Sequence, residues 1–135
     1  MGNPHAVCLV DDWAALPDEL FPAGAEKSLS TLRIDLPGPF FETHPAFPEK
    51  TNVEFASVTD EGIAMRVGER GCGETLACGP GACATNTAAC LTGRAGREND
   101  LMLSGGLLHI CWNEDGTISM TGSATESFSG TIVLP

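Results

Sequence analysis

The order of apolar and polar residues along the chain predicts a domain rich in β-sheet. Short apolar or alternating runs at residues 6–10, 53–58 and 63–67 are typical of strands, in which successive side chains point to opposite faces. Four further runs of this kind lie at residues 101–103, 107–112, 117–121 and 128–134. An Asp-Gly turn within residues 113–116 is expected to join two of them into a hairpin.

One principal helix is predicted among these strands. A glycine-rich stretch at residues 71–81 leads into residues 82–94, whose pattern indicates a helix that ends at Gly93 or Gly96. Small side chains at helical spacing predict a face packed tightly inside the domain: Cys83, Ala84, Thr87, Ala88 and Leu91. One helix set among about seven strands indicates an α+β fold.

Two proline-containing segments are expected to be less regular. Pro17 limits residues 13–20 to one or two helical turns. Residues 36–48 contain four prolines, which favours an ordered, extended surface segment and argues against any regular helix there. Because no repeat, linker or low-complexity tract divides the chain, residues 1–135 are predicted to form one domain.

Composition and charge narrow the possible functions. The chain is 42 % hydrophobic over 135 residues, which suffices for one core. A net charge of −11, with only seven scattered Lys and Arg, repels phosphate backbones and anionic lipids, so we expect no nucleic-acid or membrane partner. The first residues lack the basic and apolar regions of a secretory signal. We therefore expect a cytoplasmic protein whose cysteines stay reduced.

The six cysteines are unevenly distributed, with four of them between residues 72 and 90. No Cys-x-x-Cys pair is present, and no histidine has finger-like spacing from a cysteine pair, so no metal site is predicted. A lone cysteine is most often a small core residue. We assign that role to Cys8, Cys83, Cys90 and Cys111, and leave Cys72 undecided.

Cys78 differs because it lies in a glycine-rich stretch immediately before the predicted helix. The unpaired N–H groups and partial positive charge of a helix N-terminus stabilise a thiolate, and they also bind carboxylates. Gly79 and Gly81 would let the backbone approach such a ligand closely. Nearby Glu69 and Arg70 add charge, although a surface ion pair is the default interpretation for them. Cys78 is therefore the candidate reactive thiol.

Several motifs, in their order and spacing, resemble those of the diaminopimelate epimerases. The motifs are GNPHAV at residues 2–7, HP at 44–45, FP at 47–48, TNVEF at 51–55 and ERGCGETLACGPGACA at 69–84. The resemblance continues through LTGRA at residues 91–95, the glycine pair at 105–106, MTG at 120–122 and FSG at 128–130. It thus covers nearly the whole chain.

This resemblance implies a single domain in which a mixed or antiparallel, barrel-like sheet wraps around a central α-helix. It also implies an enzyme of lysine and peptidoglycan precursor synthesis that interconverts L,L- and meso-diaminopimelate without a cofactor or metal. Two cysteines of such an enzyme act on opposite faces of the α-carbon, one as a thiolate base and the other as a thiol acid.

The same resemblance implies roles for individual residues. Cys78 corresponds to the second of the two cysteines, and His5 and Glu69 to the polar partners that set cysteine ionisation. Gly79 and Gly81 belong to the helix start that receives the reacting α-carboxylate. The groups that hold the distal end of the substrate correspond to Asn3, Asn52, Glu69 and Arg70.

The sequence also departs from the family pattern. Family members are longer, and a similar N-terminal half brings the first cysteine. We therefore expect a fragment, an isolated domain or a separately encoded half that is inactive as a monomer. Pro80 replaces the usual Thr or Ser, and Gly68 stands where an aromatic residue is frequent. Two alternatives stay open: a non-catalytic binding or structural module, and a homodimer of this chain that imitates the full enzyme.

Overall fold

The computed structural model describes residues 2–134, within which seven strands and two α-helices form. The strands are β1 (His5–Leu9), β2 (Asn52–Thr59), β3 (Gly62–Glu69), β4 (Gly73–Thr75), β5 (Glu98–Leu103), β6 (Gly106–Trp112) and β7 (Ile118–Gly122). The helices are α1 (Pro37–Glu42) and α2 (Gly79–Leu91), and two short 3-10 turns cover Trp13–Ala15 and Asp18–Leu20. The strands expected from alternation are confirmed, except at residues 128–134.

A single mixed sheet runs in the order β1-β2-β3-β5-β6-β7, with β4 paired to the end of β3. The β1–β2 and β3–β5 pairs are parallel and the others antiparallel. Helix α2 contacts β1, β2, β3, β5, β6 and β7, so the sheet curves around it. The expected α+β class, with a barrel-like sheet around a central helix, is confirmed. The turn between β6 and β7 is also as predicted, with Gly116 at φ 87°.

The core lies on both faces of strand β2. On the side of α2, apolar residues of the sheet pack against the small residues of the helix, with Ile63, Leu101 and Ile110 fully buried. On the opposite side, Val53 and Phe55 pack under the segment at residues 20–34. Because strand residues alternate, Asn52, Glu54 and Ala56 face the helix. Two of those three are polar, and both are buried.

The expectation of no regular helix in residues 36–48 is wrong, because α1 forms at Pro37–Glu42. Its prolines, Pro37 and Pro39, occupy the first turn, where a missing N–H removes no helical hydrogen bond. The Gly38 N–H donates to the Ile34 carbonyl at 2.9 Å. The three-residue strand β4 was not predicted, since it depends on pairing with β3 rather than on its own pattern.

Helix α2 begins three residues earlier than predicted and buries a different face. The buried residues follow the spacing Ala82, Thr85, Asn86 and Ala89, whereas Leu91 is 71 % exposed. Asn86 is accommodated because its amide donates to the Arg97 carbonyl at 3.0 Å and accepts from Asn99 at 2.7 Å. With hardly any large apolar residue in the helix, hydrophobic spacing alone could not select this face.

Residues 123–134 form no helix or strand, so the strand predicted at 128–134 is wrong for this chain. Phe128, Ile132, Val133 and Leu134 are 78–90 % exposed. A strand needs a neighbour to satisfy its backbone groups, and no described residue pairs with this segment.

None of the helices within residues 2–134 has both the length and the apolar character that a membrane span requires.

Candidate functional site

Cys78 is the residue that caps the N-terminus of α2. Its backbone is extended (φ −141°, ψ 105°), and Gly79, Pro80 and Gly81 form the first helical turn. The side chain is 7 % exposed and adjoins the core against which α2 packs. Pro80 fits this turn because the first N–H groups of a helix lack intrahelical partners. The prediction that a helix starts at the Cys78 segment is confirmed.

Parallel pairing of β1 and β2 assembles the polar groups beside Cys78. His5 is aligned with Asn52, and Val7 with Glu54. Residues aligned in this way share a face of the sheet, so the side chains of β1 and β2 that face α2 converge near the start of the helix. Residues almost fifty positions apart in the sequence are thereby neighbours.

Asn52 connects Cys78 to the Glu69-Arg70 turn. Its Nδ2 donates to Cys78 Sγ at 3.8 Å, and its Oδ1 accepts the Arg70 backbone N–H at 2.9 Å. The side chain is fully buried, which restricts its choice of partners. Both ends of the amide are thus used within the protein.

His5 and Glu54 form a buried pair on the same face of the sheet. His5 Nδ1 lies 2.7 Å from Glu54 Oε1, and the Glu54 side chain is 0 % exposed. Among the described residues, neither His5 Nε2 nor Glu54 Oε2 has a hydrogen-bond partner, and the same holds for Asn3 Oδ1. Buried polar atoms are nearly always paired, so these unpaired atoms make the surroundings of His5 and Glu54 a candidate site.

Gly81 lets Glu54 and Cys78 come together. A Cβ added at Gly81 would lie 2.7 Å from Glu54 Oε1 and 3.2 Å from Cys78 Sγ. The first distance is shorter than any ordinary contact, so only glycine fits at this point while Glu54 stays paired with His5.

Burial raises the pKa of the Cys78 thiol above its ordinary value, and the charges of Glu69 and Glu54 raise it further. The Gly81 N–H and the Asn52 amide act in the opposite direction but are outweighed. A thiolate stabilised by the helix N-terminus was expected, and this expectation is wrong for the chain as it stands. The N–H groups at the helix start lower the pKa of Cys78 as predicted, but the removal of the sulfur from water raises it by more.

The remaining predicted residues are distributed around this site. Glu69 Oε1 accepts a hydrogen bond from Thr75 Oγ1 at 2.6 Å. The exposed Arg70 guanidinium donates to the Glu49 carbonyl at 2.7 Å. A Cβ added at Gly79 would approach the Met120 side chain to 3.1 Å, which places β7 beside the helix start.

The other cysteines differ in their surroundings. Cys83 is buried, Cys72 is exposed, and Cys8, Cys90 and Cys111 are half-buried. All six are free thiols. Among residues 2–134, no group of three His, Cys, Asp or Glu side chains is arranged to hold a metal.

Comparison with known protein families supports the resemblance that the motifs indicated. The model described as diaminopimelate epimerase matches residues 1–126 of the chain. The chain belongs to the diaminopimelate epimerase family. It is 48 % identical over 135 residues to the diaminopimelate epimerase of Synechococcus elongatus, and 47 % identical over 134 residues to that of Methanococcus maripaludis.

These alignments cover 99 % and 98 % of this chain, but only 42 % and 43 % of the two relatives. The chain thus spans less than half the length of the curated diaminopimelate epimerases it matches.

Solved structures show the same fold at low sequence identity. A PhzF-family phenazine biosynthesis protein from Bacillus anthracis superposes with a TM-score of 0.54 at 21 % identity, over 89 % of this chain and 34 % of that one. A PhzF-family protein from Enterococcus faecalis superposes with a TM-score of 0.51 at 16 % identity, over 84 % of this chain and 35 % of that one. Matches at this level concern the fold alone.

Two site features of this diaminopimelate epimerase family member were not foreseen. The first is Glu54, which lies in the TNVEF motif but is not among the residues predicted for the site, although an acidic residue in the middle of a predicted buried strand is itself a signal. The second feature is the placement of Gly68, which alternates with Glu69 along β3 and faces α1, where an added Cβ would meet Gly38 Cα at 3.8 Å.

Proposed function

We propose that this chain is the half of a diaminopimelate epimerase that supplies Cys78 as one of two acid–base cysteines. The observation that carries the proposal is the position of the Cys78 sulfur. It lies at the start of α2, 3.8 Å from the Asn52 amide and beside two carboxylates. A thiol surrounded by polar side chains at a helix start has the setting of a proton-transfer group.

The proposed reaction is a proton exchange at one α-carbon, with no net oxidation and no cofactor. A thiolate on one face removes the α-proton, and the electron pair of the C–H bond is delocalised into the α-carboxylate. A thiol on the opposite face then donates its proton to the carbon and becomes the thiolate. Burial raises the pKa of the Cys78 thiol, which favours its protonated form, the acid of such a pair.

We propose that the backbone N–H groups of Gly79 and Gly81 receive the α-carboxylate as charge accumulates on it. Pro80 offers no N–H, so the anion relies on its two neighbours. Asn3, whose Oδ1 is buried and has no hydrogen-bond partner among residues 2–134, suits the distal ammonium group. The exposed Arg70 guanidinium suits the distal carboxylate. Asn52 and Glu69 are also proposed for substrate binding. In addition, Asn52 lowers and Glu69 raises the pKa of the Cys78 thiol.

A partner is required for this chemistry, since one cysteine cannot act on both faces of a carbon. The site borders a groove of about 460 Å³ between β1 and β7, lined by His5, Val7, Ala84, Thr87, Ala88, Leu91 and Ile118. The outer edges of β1 and β7 are unpaired among the described strands. Unpaired edges and an exposed apolar helix face are features of an interface. We propose that an N-terminal half covers this groove in the cytoplasm, where the six thiols stay reduced.

Reconstitution tests the proposal. The chain is mixed with the N-terminal half of the Synechococcus elongatus relative, and incorporation of deuterium at the α-carbon of diaminopimelate is followed in deuterated water. The mixture should exchange, the isolated chain should not, and Cys78→Ala should abolish exchange. Cys72→Ala, which changes an exposed thiol, is the matched control. Full exchange by the isolated chain, or by the Cys78→Ala mixture, would overturn the proposal.

A second candidate is a homodimer in which another copy replaces the missing half. The exposed apolar tail at residues 128–134 and the open sheet edges favour it, since each copy offers both an unpaired apolar segment and a sheet edge that could receive one. Sedimentation distinguishes the cases, because a strict monomer at high concentration excludes the dimer. The non-catalytic alternative predicts that Cys78 alkylation is unaffected by His5→Ala or Glu69→Ala.

A further inference from the structure

Glu54 is a fully buried acidic residue whose side chain has one hydrogen-bonding partner, the ring of His5. Its Oε1 is 2.7 Å from His5 Nδ1, and its Oε2 has no hydrogen-bond partner among the described residues. Burying a carboxylate with half of its hydrogen-bonding capacity unused costs stability. Neighbouring positions of β2 that serve packing alone are apolar, as Val53, Phe55 and Ala56 are. The retention of an acid here therefore points to a role in the site.

The geometry of the pair defines what His5 can do. Burial raises the pKa of Glu54. Above that pKa, the ionised carboxylate at Nδ1 holds the proton of a neutral imidazole on that nitrogen, which leaves Nε2 as the unprotonated ring nitrogen. His5 Nε2 is buried and has no partner among residues 2–134. It is therefore the ring atom available to a proton or a ligand.

Glu54 also lies next to the reactive thiol. Its Oε1 and the Cys78 sulfur both come within 3.2 Å of the point that a Gly81 Cβ would occupy. The groups that influence Cys78 come from each surrounding element: Glu54 and Asn52 on β2, Glu69 on β3 and the Gly81 N–H on α2. Within this set of described groups, Glu54 is the one that hydrogen-bonds to the His5 ring.

We propose that Glu54 is a positioning residue of the Cys78 site, which accepts the Nδ1–H of His5 and thereby presents the unprotonated Nε2 to the reacting groups. The part of Glu54 in catalysis rests on the proposed function. Its effect on the His5 tautomer does not, because both residues lie in this chain. Glu54 sets the tautomer of one acid–base group and places a negative charge beside another.

The test is the tautomeric state of His5 in the isolated chain, read by two-bond ¹⁵N–¹H correlation spectra at a pH above the imidazole range. The chain has only three histidines, and His5→Gln identifies the signal. We expect Nδ1 to be protonated and Nε2 to be unprotonated in the wild type. Glu54→Gln should move His5 toward the Nε2–H form. The opposite tautomer in the wild type overturns the inference without any variant, even if Glu54→Gln does not fold.

Glu69→Gln is the matched control, because Glu69 acts on Cys78 but pairs with Thr75 rather than with His5. Both substitutions remove a negative charge near Cys78. Each should speed alkylation of Cys78 by iodoacetamide, roughly three- to tenfold at a fixed pH, as read from the Cys78 peptide by mass spectrometry. Only Glu54→Gln should change the His5 tautomer. A change of tautomer in both variants, or in neither, contradicts the inference.

The outcome separates this inference from the proposed function. If the reconstituted protein exchanges no α-proton while His5 shows the expected tautomer, the proposed function fails and the positioning role stands. If exchange is found, Glu54→Gln should lower kcat by roughly 100-fold with little change in KM. If Glu54→Gln altered the tautomer but left kcat unchanged in an active assembly, the His5–Glu54 pair would have no role in catalysis.

Discussion

The side-chain amide of Asn52 donates to the sulfur of Cys78 across 3.8 Å, although the residues are 26 positions apart. The oxygen of the same amide accepts the Arg70 N–H at 2.9 Å. One buried side chain therefore connects the Cys78 thiol to the turn that follows β3. Its two bonds make separate contributions, one to the ionisation of Cys78 and the other to stability.

Replacing Asn52 by Ala should affect both properties. The free energy of unfolding should fall by about 1–3 kcal/mol, because the Arg70 N–H loses its acceptor. Alkylation of Cys78 should require a higher pH, since the Asn52 donor lowers the pKa of that thiol. Cys83 is the internal control, because Asn52 does not act on it. Chemical denaturation and peptide-resolved alkylation measure the two effects, and an unchanged pH profile at Cys78 contradicts the second.

Gly81→Ala should destabilise the chain by about 1–3 kcal/mol, in the range of an overpacked core. The new Cβ would meet Glu54 Oε1 at 2.7 Å and force that carboxylate away from His5. Gly96→Ala is the matched control, because nothing lies within 4 Å of its added Cβ. Thermal unfolding compares the two variants. Equal melting temperatures would mean that Glu54 moves freely and that the contact carries no strain.

The β5–β6 pair should lose stability as the pH rises above the imidazole range. Hydrogen bonds to Asp100 (2.8 Å) and Glu98 (3.0 Å) raise the pKa of His109. A group whose pKa is raised on folding stabilises the protein below its unfolded pKa, roughly 6.5 for histidine. That stabilisation is lost as the pH passes through the raised value.

His109→Gln tests this pH dependence, because glutamine keeps polarity without the charge. The difference in melting temperature between wild type and variant should be largest below about pH 6 and should shrink toward about pH 9. Added salt should reduce it as well, since the three side chains are partly exposed. A difference that stays constant across this range would mean that the charge of His109 contributes nothing.

Deleting residues 128–134 should leave the stability of the isolated chain within about 0.5 kcal/mol, because the apolar side chains there are 78–90 % exposed. Ile110→Ala, at a fully buried position, should instead cost about 2–5 kcal/mol. Both comparisons are made by chemical denaturation. The same deletion should weaken any self-association seen by sedimentation, and a dimer that survives it would place the interface elsewhere.

Local pattern sufficed for most of the elements. Alternation predicted the strands, since a half-buried strand repeats every two residues whatever its neighbours are, and Asp-Gly predicted the β6–β7 turn. Glycines before a helical pattern, together with the family resemblance, indicated Cys78, Asn52 and the helix start. The strands, the turn and the helix start depend on residues that are close in sequence, so the sequence by itself determined them, whereas the site roles of Cys78 and Asn52 stay predictions.

Tertiary structure decided what depends on distant residues. The buried face of α2 was set by partners for Asn86, and the tail at 128–134 lacks a strand because nothing in the described chain pairs with it. The His5–Glu54 pair arises from parallel register across 49 positions. The raised pKa of Cys78 follows from its burial, and burial depends on how the whole sheet closes around the helix, which no short stretch of sequence specifies.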